Sequence, residues 1–243
     1  MTDTIIVIPA FNEARIIGGV IENVRKAVGE SADILVVNDG SSDSTVAVAR
    51  QSGAVVVSHP FNLGYGAAIQ TGYKYAIAQG YSFLAQIDGD GQHDPAFLSA
   101  LLEPVRRGEI DLALGSRFLE PGSYRPPFIR RVGMAFFGVI VSLLIGKRIG
   151  DPTTGFQAFN RPVMEFLIRD LFPCDYPDAD VLIMLGLEGF RMREIPVRML
   201  ANREGKSMHS GLQPFYYVFK MILSIAVTLL RHSPRRNSRH SQQ

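Results

Sequence analysis

A chain of 243 residues, 47% apolar and 20% charged, suits one large domain or a domain with an appendage and excludes intrinsic disorder. The near balance of 25 Lys and Arg against 23 Asp and Glu hides one asymmetry: Arg231 to Gln243 holds four Arg and no acid. Such a tail can touch anionic lipid or simply fray in solvent; nucleic acid is not an expected partner. The single cysteine, Cys174, excludes an internal disulfide and a Cys-based zinc site, in keeping with a reducing compartment. Met1-Thr-Asp-Thr4 runs straight into a strand with no basic n-region or cleavage site, so no signal peptide is expected.

Ile5–Ile8, a β-branched run stopped by Pro9, reads as a central strand. Asn12-Glu13 opens a helix whose apolar stripe is Ile16, Ile17, Val20, Ile21, Val24 and Val28. Ile34–Val37 is the next buried strand, ending in the polar turn Asn38-Asp-Gly-Ser-Ser-Asp43 that starts a helix at Ser44. Ala54–Val57 gives a third strand, and Asn62-Leu-Gly-Tyr-Gly66 precedes a helix to about Gln79. Phe83–Ile87 is the fourth strand, and Leu112–Gly115 another that ends in Ser116-Arg117. Strands alternating with helices, each strand apolar throughout, predict a parallel α/β sheet covered on both faces.

Asp88, Asp90 and Gln92 follow the fourth strand at every second position. Charged carboxylates cannot continue a buried strand unpaired, so they belong where the chain leaves the sheet, with Gly89 and Gly91 permitting the turn. Asp94-Pro95 then reads as a helix N-cap and first residue. Two acids and an amide oxygen converging on one point suit Mg2+ or Mn2+ better than zinc; the alternative is an Asp/Gly-rich turn with solvated acids. Ligands of parallel sheets bind at the carboxyl ends of strands. Three of those ends carry polar signatures: Pro9-Ala-Phe-Asn-Glu13, Asn38-Asp-Gly-Ser41 and Asp88-Gly-Asp90. One acidic cleft accounts for all three together, whereas helix caps account for each only singly. Glu13 and Asp39 can accept hydrogen bonds from a base or ribose, and Asp88 and Asp90 can meet phosphates only through a metal. Arg117 can neutralise a diphosphate as a fork donor, or sit in a surface salt bridge. Gly64-Tyr-Gly-Ala-Ala-Ile69 starts like a dinucleotide fingerprint, but Ile69 fills the third glycine position and the stretch follows the wrong strand.

These segments, with Gly115-Ser-Arg117 and Asp151-Pro-Thr-Thr-Gly-Phe156, occur in an order that resembles family 2 glycosyltransferases of the GT-A fold, from about residue 4 to 210. Within that family the chain is most similar to dolichyl- and polyprenyl-phosphate sugar synthases. The resemblance implies a Rossmann-like, mostly parallel sheet and a nucleotide-diphosphate sugar donor (UDP- or GDP-linked). Pro9, Phe11 and Glu13 would frame the nucleobase, with Asp39 bonded to it. Asp88, Asp90 and Gln92 would hold the cation, with Asp90 also catalytic. Arg117 and Arg131 would line the phosphate path, and Arg203, Lys206 and Ser207 belong to a late basic loop closing over the donor. Asn38 and Gly91 depart from the pattern, standing where an acid and a larger residue are usual. A lipid phosphate acceptor is already an anion and needs no strong base, whereas a sugar hydroxyl would need one. Asp178 and Asp180, just before the helical stretch Val181–Glu188, match the position of that base in hydroxyl-directed relatives. Single displacement gives inversion.

Val132–Ile145 is uncharged, flanked by Arg130-Arg131 and Lys147-Arg148, and shorter than the roughly 20 residues a spanning helix needs. Phe215–Leu230 is similarly apolar, broken only by Lys220. Both read as helices lying in a membrane interface or as buried core helices. The expected organisation is a transferase domain over 1–210, an apolar membrane-surface helix over 211–231 and a basic tail over 232–243. The expected function is a lipid-phosphate glycosyltransferase, peripheral on the cytoplasmic face of a membrane, with room for a homo-oligomer. The alternatives are transfer to a glycan hydroxyl and a non-catalytic sugar-nucleotide-binding protein.

Overall fold

The computed structural model describes residues 2–119, 128–169, 172–173, 177–200 and 213–232. Strand β1 (Thr4–Ala10) is followed by α1 (Ile17–Val28), β2 (Asp33–Asn38), α2 (Thr45–Gln51), β3 (Val55–Ser58), α3 (Tyr65–Ala78) and β4 (Phe83–Gln86). After a 3-10 turn at Pro95–Phe97 come α4 (Leu98–Arg106), β5 (Leu112–Ser116), α5 (Phe128–Ile145) and β6 (Gln157–Asn160). The order closes with α6 (Arg161–Leu167), α7 (Ala179–Leu187), β7 (Met192–Pro196) and α8 (Gln213–His232). Among the described residues the strands form one seven-stranded sheet, β3-β2-β1-β4-β6-β5-β7. Only β6 is antiparallel to its neighbours. The mostly parallel α/β sheet expected from the strand pattern is therefore present.

Strand alternation sets the layers, because successive side chains point to opposite faces. Ile5 and Val7 of β1 enter one apolar core with α3, α5, α6, α7 and α8, while Ile6 and Ile8 enter the other with α1, α2 and α4. The chain winds outward from β1 through β2 to β3, then returns to lay β4 on the other side of β1. That reversal opens a crevice at the carboxyl ends of β1 and β4.

Several boundaries differ from the sequence reading for local reasons. β1 runs through Pro9 to Ala10, pairing Pro9 with Val37. The β1–β4 ladder ends at Val7 and Gln86, so the donor that proline lacks costs no bond on that side. Helix α1 starts at Ile17 rather than Asn12-Glu13, because Asn12 sits at φ 57 and residues 12–14 are held by the second loop. β3 is a half-exposed edge strand, not a buried one.

The two apolar stretches are helical, and each is core on one face only. α5 buries Met134, Phe137 and Val141 and exposes Phe136, Val139 and Leu143; α8 buries Met221 and Ile225 and exposes Ile222, Leu223 and Leu230. Both pack against α7, so α8 shares the core of the α/β body. No helix among the described residues is long and apolar enough to cross a membrane. The basic tail beyond His232 lies outside the described residues.

Candidate active site

The loops at the strand ends are tied to one another by side chains acting on backbone. Asn12 N donates to Ser41 Oγ (2.9 Å), and Ser42 N returns a bond to Asn12 Oδ1 (2.9 Å). Glu13 N donates to Thr45 Oγ1 (2.8 Å) and Ala14 N to Asp43 Oδ2 (3.1 Å). These bonds join the β1 loop to the β2 loop. Asn38 uses both ends of its amide, accepting from Ser41 N and donating to Ser58 Oγ, a donation no acid could make at that position.

Asp39 turns inward. Its carboxylate accepts from His59 Nδ1 (2.7 Å), Leu63 N (2.8 Å) and Gly64 N (2.9 Å), and the residue is buried. His59 Nε2 meets Thr71 Oγ1 at 2.9 Å. Asp39 thus anchors the loop before α3 to the β2 loop, and three of the roughly four lone-pair sites of the carboxylate expected to bond a nucleobase are used by these donors. Pro9 is likewise buried within β1, whereas Phe11 is exposed at the rim and Glu13 is half-buried beside it.

The acids that follow β4 face this rim. Asp88 keeps 28% of its side chain exposed, with Oδ1 accepting from Tyr65 Oη at 2.8 Å. Its backbone N donates to Nδ1 of His93, which stacks on Phe156 with ring centroids 5.0 Å apart. Asp90 accepts from Gln92 N (2.9 Å) and Gln92 Nε2 (2.5 Å). Burial, and then the negative charge of Asp88, holds the Asp90 carboxyl above the usual carboxylate range. Of the two glycines here only Gly91 takes a positive φ (72°); Gly89 is needed for space, since a Cβ would sit 2.8 Å from Pro9 O. Asp94 caps the following turn by accepting from Ala96 N, with Pro95 first in the turn, as the sequence predicts.

Two repelling carboxylates with an amide alongside are hard oxygen donors that a divalent cation would reconcile. Among the described residues, no group of three or more His, Cys, Asp or Glu forms a cation cage. Oxygen donors of this kind fit a metal of the Mg2+ type, which is held by one or two carboxylates and completed by water and substrate phosphate.

Arg117 departs from the expected diphosphate contact. Its Nε and Nη2 form a bidentate pair with Asp151 (2.7 and 2.6 Å), Nη2 also reaches Thr153 Oγ1 (2.9 Å), and both partners are buried. Buried rather than a surface ion pair, this fork fixes the Asp151–Phe156 stretch. Glu194 of β7 supports the same loop by accepting from Gly150 N and Asp151 N. Asp180 is also committed. It is buried in the first turn of α7 and accepts from Val181 N (2.8 Å), Asp178 N (3.2 Å) and, in a short contact, Ser224 Oγ of α8. Burial raises its carboxyl above the usual range. Asp178, just before α7, is half-buried. Arg131 lies in α5, while Arg203, Lys206 and Ser207 lie outside the described residues.

A family model described as glycosyl transferase family 2 matches residues 5–167, the span that contains the loops of Glu13, Asp39, Asp88, Asp90 and Arg117 and the Asp151–Phe156 stretch. The chain belongs to glycosyl transferase family 2. It is a glycosyltransferase, and its similarities extend past the matched span. It is 32% identical over 229 residues to the polyprenol monophosphomannose synthase of Mycolicibacterium smegmatis, covering 90% of this chain and 85% of that protein. It is 29% identical over 213 residues to the undecaprenyl-phosphate mannosyltransferase of Micrococcus luteus, covering 84% and 86%. Among solved structures, it shares the fold of glucosyl-3-phosphoglycerate synthase from Mycobacterium tuberculosis. One structure of that enzyme, with phosphoglyceric acid, gives a TM-score of 0.69 at 22% identity over 94% of this chain and 79% of that one. Another, with Mn2+ and UDP-glucose, gives 0.66 at 24% identity over 94% and 78%.

In this family 2 glycosyltransferase the β1 and β2 loops expected at one rim are tied together, while Asp39 and Arg117, expected to face a ligand, are buried. The sequence reading also passes over the residues that hold the rim from behind: Tyr65, Gln86, Gly155, Asp43 and Glu194. Asp43 alone had a visible signal, being an acid two residues before Thr45, whose N and Oγ1 it accepts from.

Proposed function

We propose that this chain is an inverting, metal-dependent glycosyltransferase that moves a sugar from a nucleotide-diphosphate sugar to a polyprenyl-type phosphate at a membrane surface. The observation that carries the reading is the repelling pair Asp88 and Asp90 at the sheet's switch point, beside loops from β1 and β2. Asp88, Asp90 and Gln92 would hold Mg2+ or Mn2+, a reading supported by the crystallisation of the M. tuberculosis enzyme of the same fold with Mn2+ and UDP-glucose. When bound, the cation supplies positive charge where the departing diphosphate gains negative charge.

The chain's own residues supply the rest. Phe11 and Glu13 present an exposed ring and a carboxylate at the base end of the crevice, and Asp39 acts by holding the third loop against them. Arg131, Arg203 and Lys206 would balance the phosphates, because cations at developing charge lower the barrier most, and Ser207 would add a hydrogen bond. Arg117 sets the loop behind Asp88 instead.

The acceptor assignment follows from Asp180 and from the relatives. A phosphate acceptor attacks as the anion it already is, whereas a hydroxyl needs a base. Asp180 has three donors and no role as that base. Relatives named for polyprenol, dolichyl-phosphate and undecaprenyl-phosphate transfer point the same way. The exposed faces of α5 (Phe136, Val139, Leu143) and α8 (Ile222, Leu223, Val227, Leu230) suit a peripheral seat on lipid. Transfer to a glycan hydroxyl is the second reading, favoured only by half-buried Asp178, whose charge reaches Tyr65.

A screen of UDP- and GDP-sugars with Mn2+, scored by nucleoside diphosphate release, separates these readings. Release that depends on added polyprenyl phosphate is expected. Release driven equally well by a soluble sugar hydroxyl would reject the lipid acceptor.

A further inference from the structure

Behind Asp88 lies a polar assembly that none of these roles uses. Tyr65 opens α3 within Gly64–Ile69, the glycine-containing stretch that fails as a dinucleotide fingerprint. Its hydroxyl donates to Asp88 Oδ1 (2.8 Å) and accepts from Gln86 Nε2 (2.9 Å). Gln86 is the last residue of β4, two positions before Asp88, and it is buried. Its amide nitrogen also donates to Gly155 O (3.1 Å), and its oxygen accepts from the buried Tyr73 Oη (2.5 Å). The phenol of Tyr65 therefore has one donation to make, and Asp88 receives it. Gly155 closes the other side. A Cβ at that position would stand 2.9 Å from both Asp88 Oδ2 and Tyr65 Oη. Gly155 itself is placed by the loop that Arg117 and Asp151 lock.

A carboxylate has about four lone-pair sites. Spending one on a fixed phenol sets the carboxylate's rotation, and the remaining sites stay available on its exposed side. Outer partners of this kind orient the groups that ligate metals. We propose that Tyr65 is the positioning residue that aims Asp88 at the cation-bound diphosphate, with Gln86 and Gly155 as its rigid backing. The assignment rests on the metal reading of Asp88 and Asp90.

The test is Mn2+ binding by the intact protein, followed by the electron paramagnetic resonance signal of free Mn2+, with UDP and with GDP in parallel. Asp88→Ala reports on the metal reading, and Tyr65→Phe on the positioning role. Tyr81→Phe is a matched control, since Tyr81 Oη makes the same kind of bond to Asp33 (2.7 Å) at the other end of the sheet. Expected are a loss of roughly tenfold in Mn2+ affinity for Tyr65→Phe, a larger loss for Asp88→Ala and none for Tyr81→Phe. Raising Mn2+ should restore most of the Tyr65→Phe turnover, which a merely misfolded site would not allow. Gly155→Ala, which displaces Asp88 from the opposite side, should loosen Mn2+ similarly and serves if Tyr65→Phe does not fold. Wild-type Mn2+ affinity in Tyr65→Phe, or an equal loss in Tyr81→Phe, overturns the positioning role. Unchanged affinity in Asp88→Ala overturns the metal reading itself.

Discussion

The two ends of the sheet treat carboxylates in opposite ways. At the amino ends, Asp33 opens β2 and accepts from Thr2 Oγ1 and Tyr81 Oη, while Asp111 precedes β5 and is gripped by Arg191. Hydrogen bonds from Thr2 and Tyr81 hold Asp33 below the usual range, and the Arg191 hydrogen bond does the same for Asp111. At the carboxyl end of β4, burial and the charge of Asp88 push Asp90 the other way. The amino ends are finished, with each charge answered from within the protein. The carboxyl end of β4 keeps a repulsion between Asp88 and Asp90, which is what the proposed cation site requires and a site built for stability would avoid.

The strongest way to break this contrast is Asp90→Ala. Turnover should fall roughly 10²–10³-fold, the scale of losing a charge-stabilising group, while circular dichroism shows the fold intact. Turnover at the wild-type level would remove Asp90 from the chemistry. The carboxyl end also holds answered charges, and breaking one of them, the Arg117–Asp151 pair, should cost stability instead. Arg117→Ala leaves a buried carboxylate without its fork and should cost about 3–5 kcal/mol in urea unfolding. A loss under 1 kcal/mol would mean that the loop does not depend on this pair.

A smaller effect, of opposite sign at the two ends, is expected from pH. The Asp33 carboxyl titrates lower folded than unfolded, so its contribution is present above the unfolded value of 3.8 and fades as pH falls through the folded one. The Asp90 carboxyl titrates higher folded, so its favourable contribution exists below 3.8 and is lost as pH rises through the folded value. At pH 7, Asp33→Asn should therefore lower the melting temperature and Asp90→Asn raise it, with both differences shrinking in acid. Two shifts of the same sign would erase the distinction. Smallest of all for folding, Leu143→Ser with Leu230→Ser should move stability by no more than about 0.5 kcal/mol per site. The same pair should weaken flotation with anionic vesicles. Unaltered flotation would take the membrane seat away from α5 and α8.

The part of the molecule from β1 to β4 was legible because its signals are short-range. β-branched runs, an amphipathic stripe and polar strand ends each declare themselves within about ten residues. β6 and β7 offer no such run: Gln157-Ala-Phe-Asn160 is four residues long, and Met192-Arg-Glu-Ile-Pro196 carries two charges. Within the site, the loops were readable but the direction of their side chains was not. Asp39 meets partners 20 to 25 residues onward, and Arg117 meets Asp151 34 residues onward, separations that only the folded sheet closes. The Ser224–Asp180 contact depends on α8 packing on α7, which nothing local in either segment encodes. α5 and α8 each bury one apolar face in the core and leave another exposed, a division their apolar runs do not mark.

The most direct measurement is anomalous diffraction from crystals soaked with Mn2+ and the nucleoside diphosphate chosen by the donor screen. A manganese peak between Asp88, Asp90 and the diphosphate, with the base end lying by Phe11 and Glu13, is the predicted result. A diphosphate bound elsewhere, or seated in the crevice with no manganese between it and those acids, would contradict it.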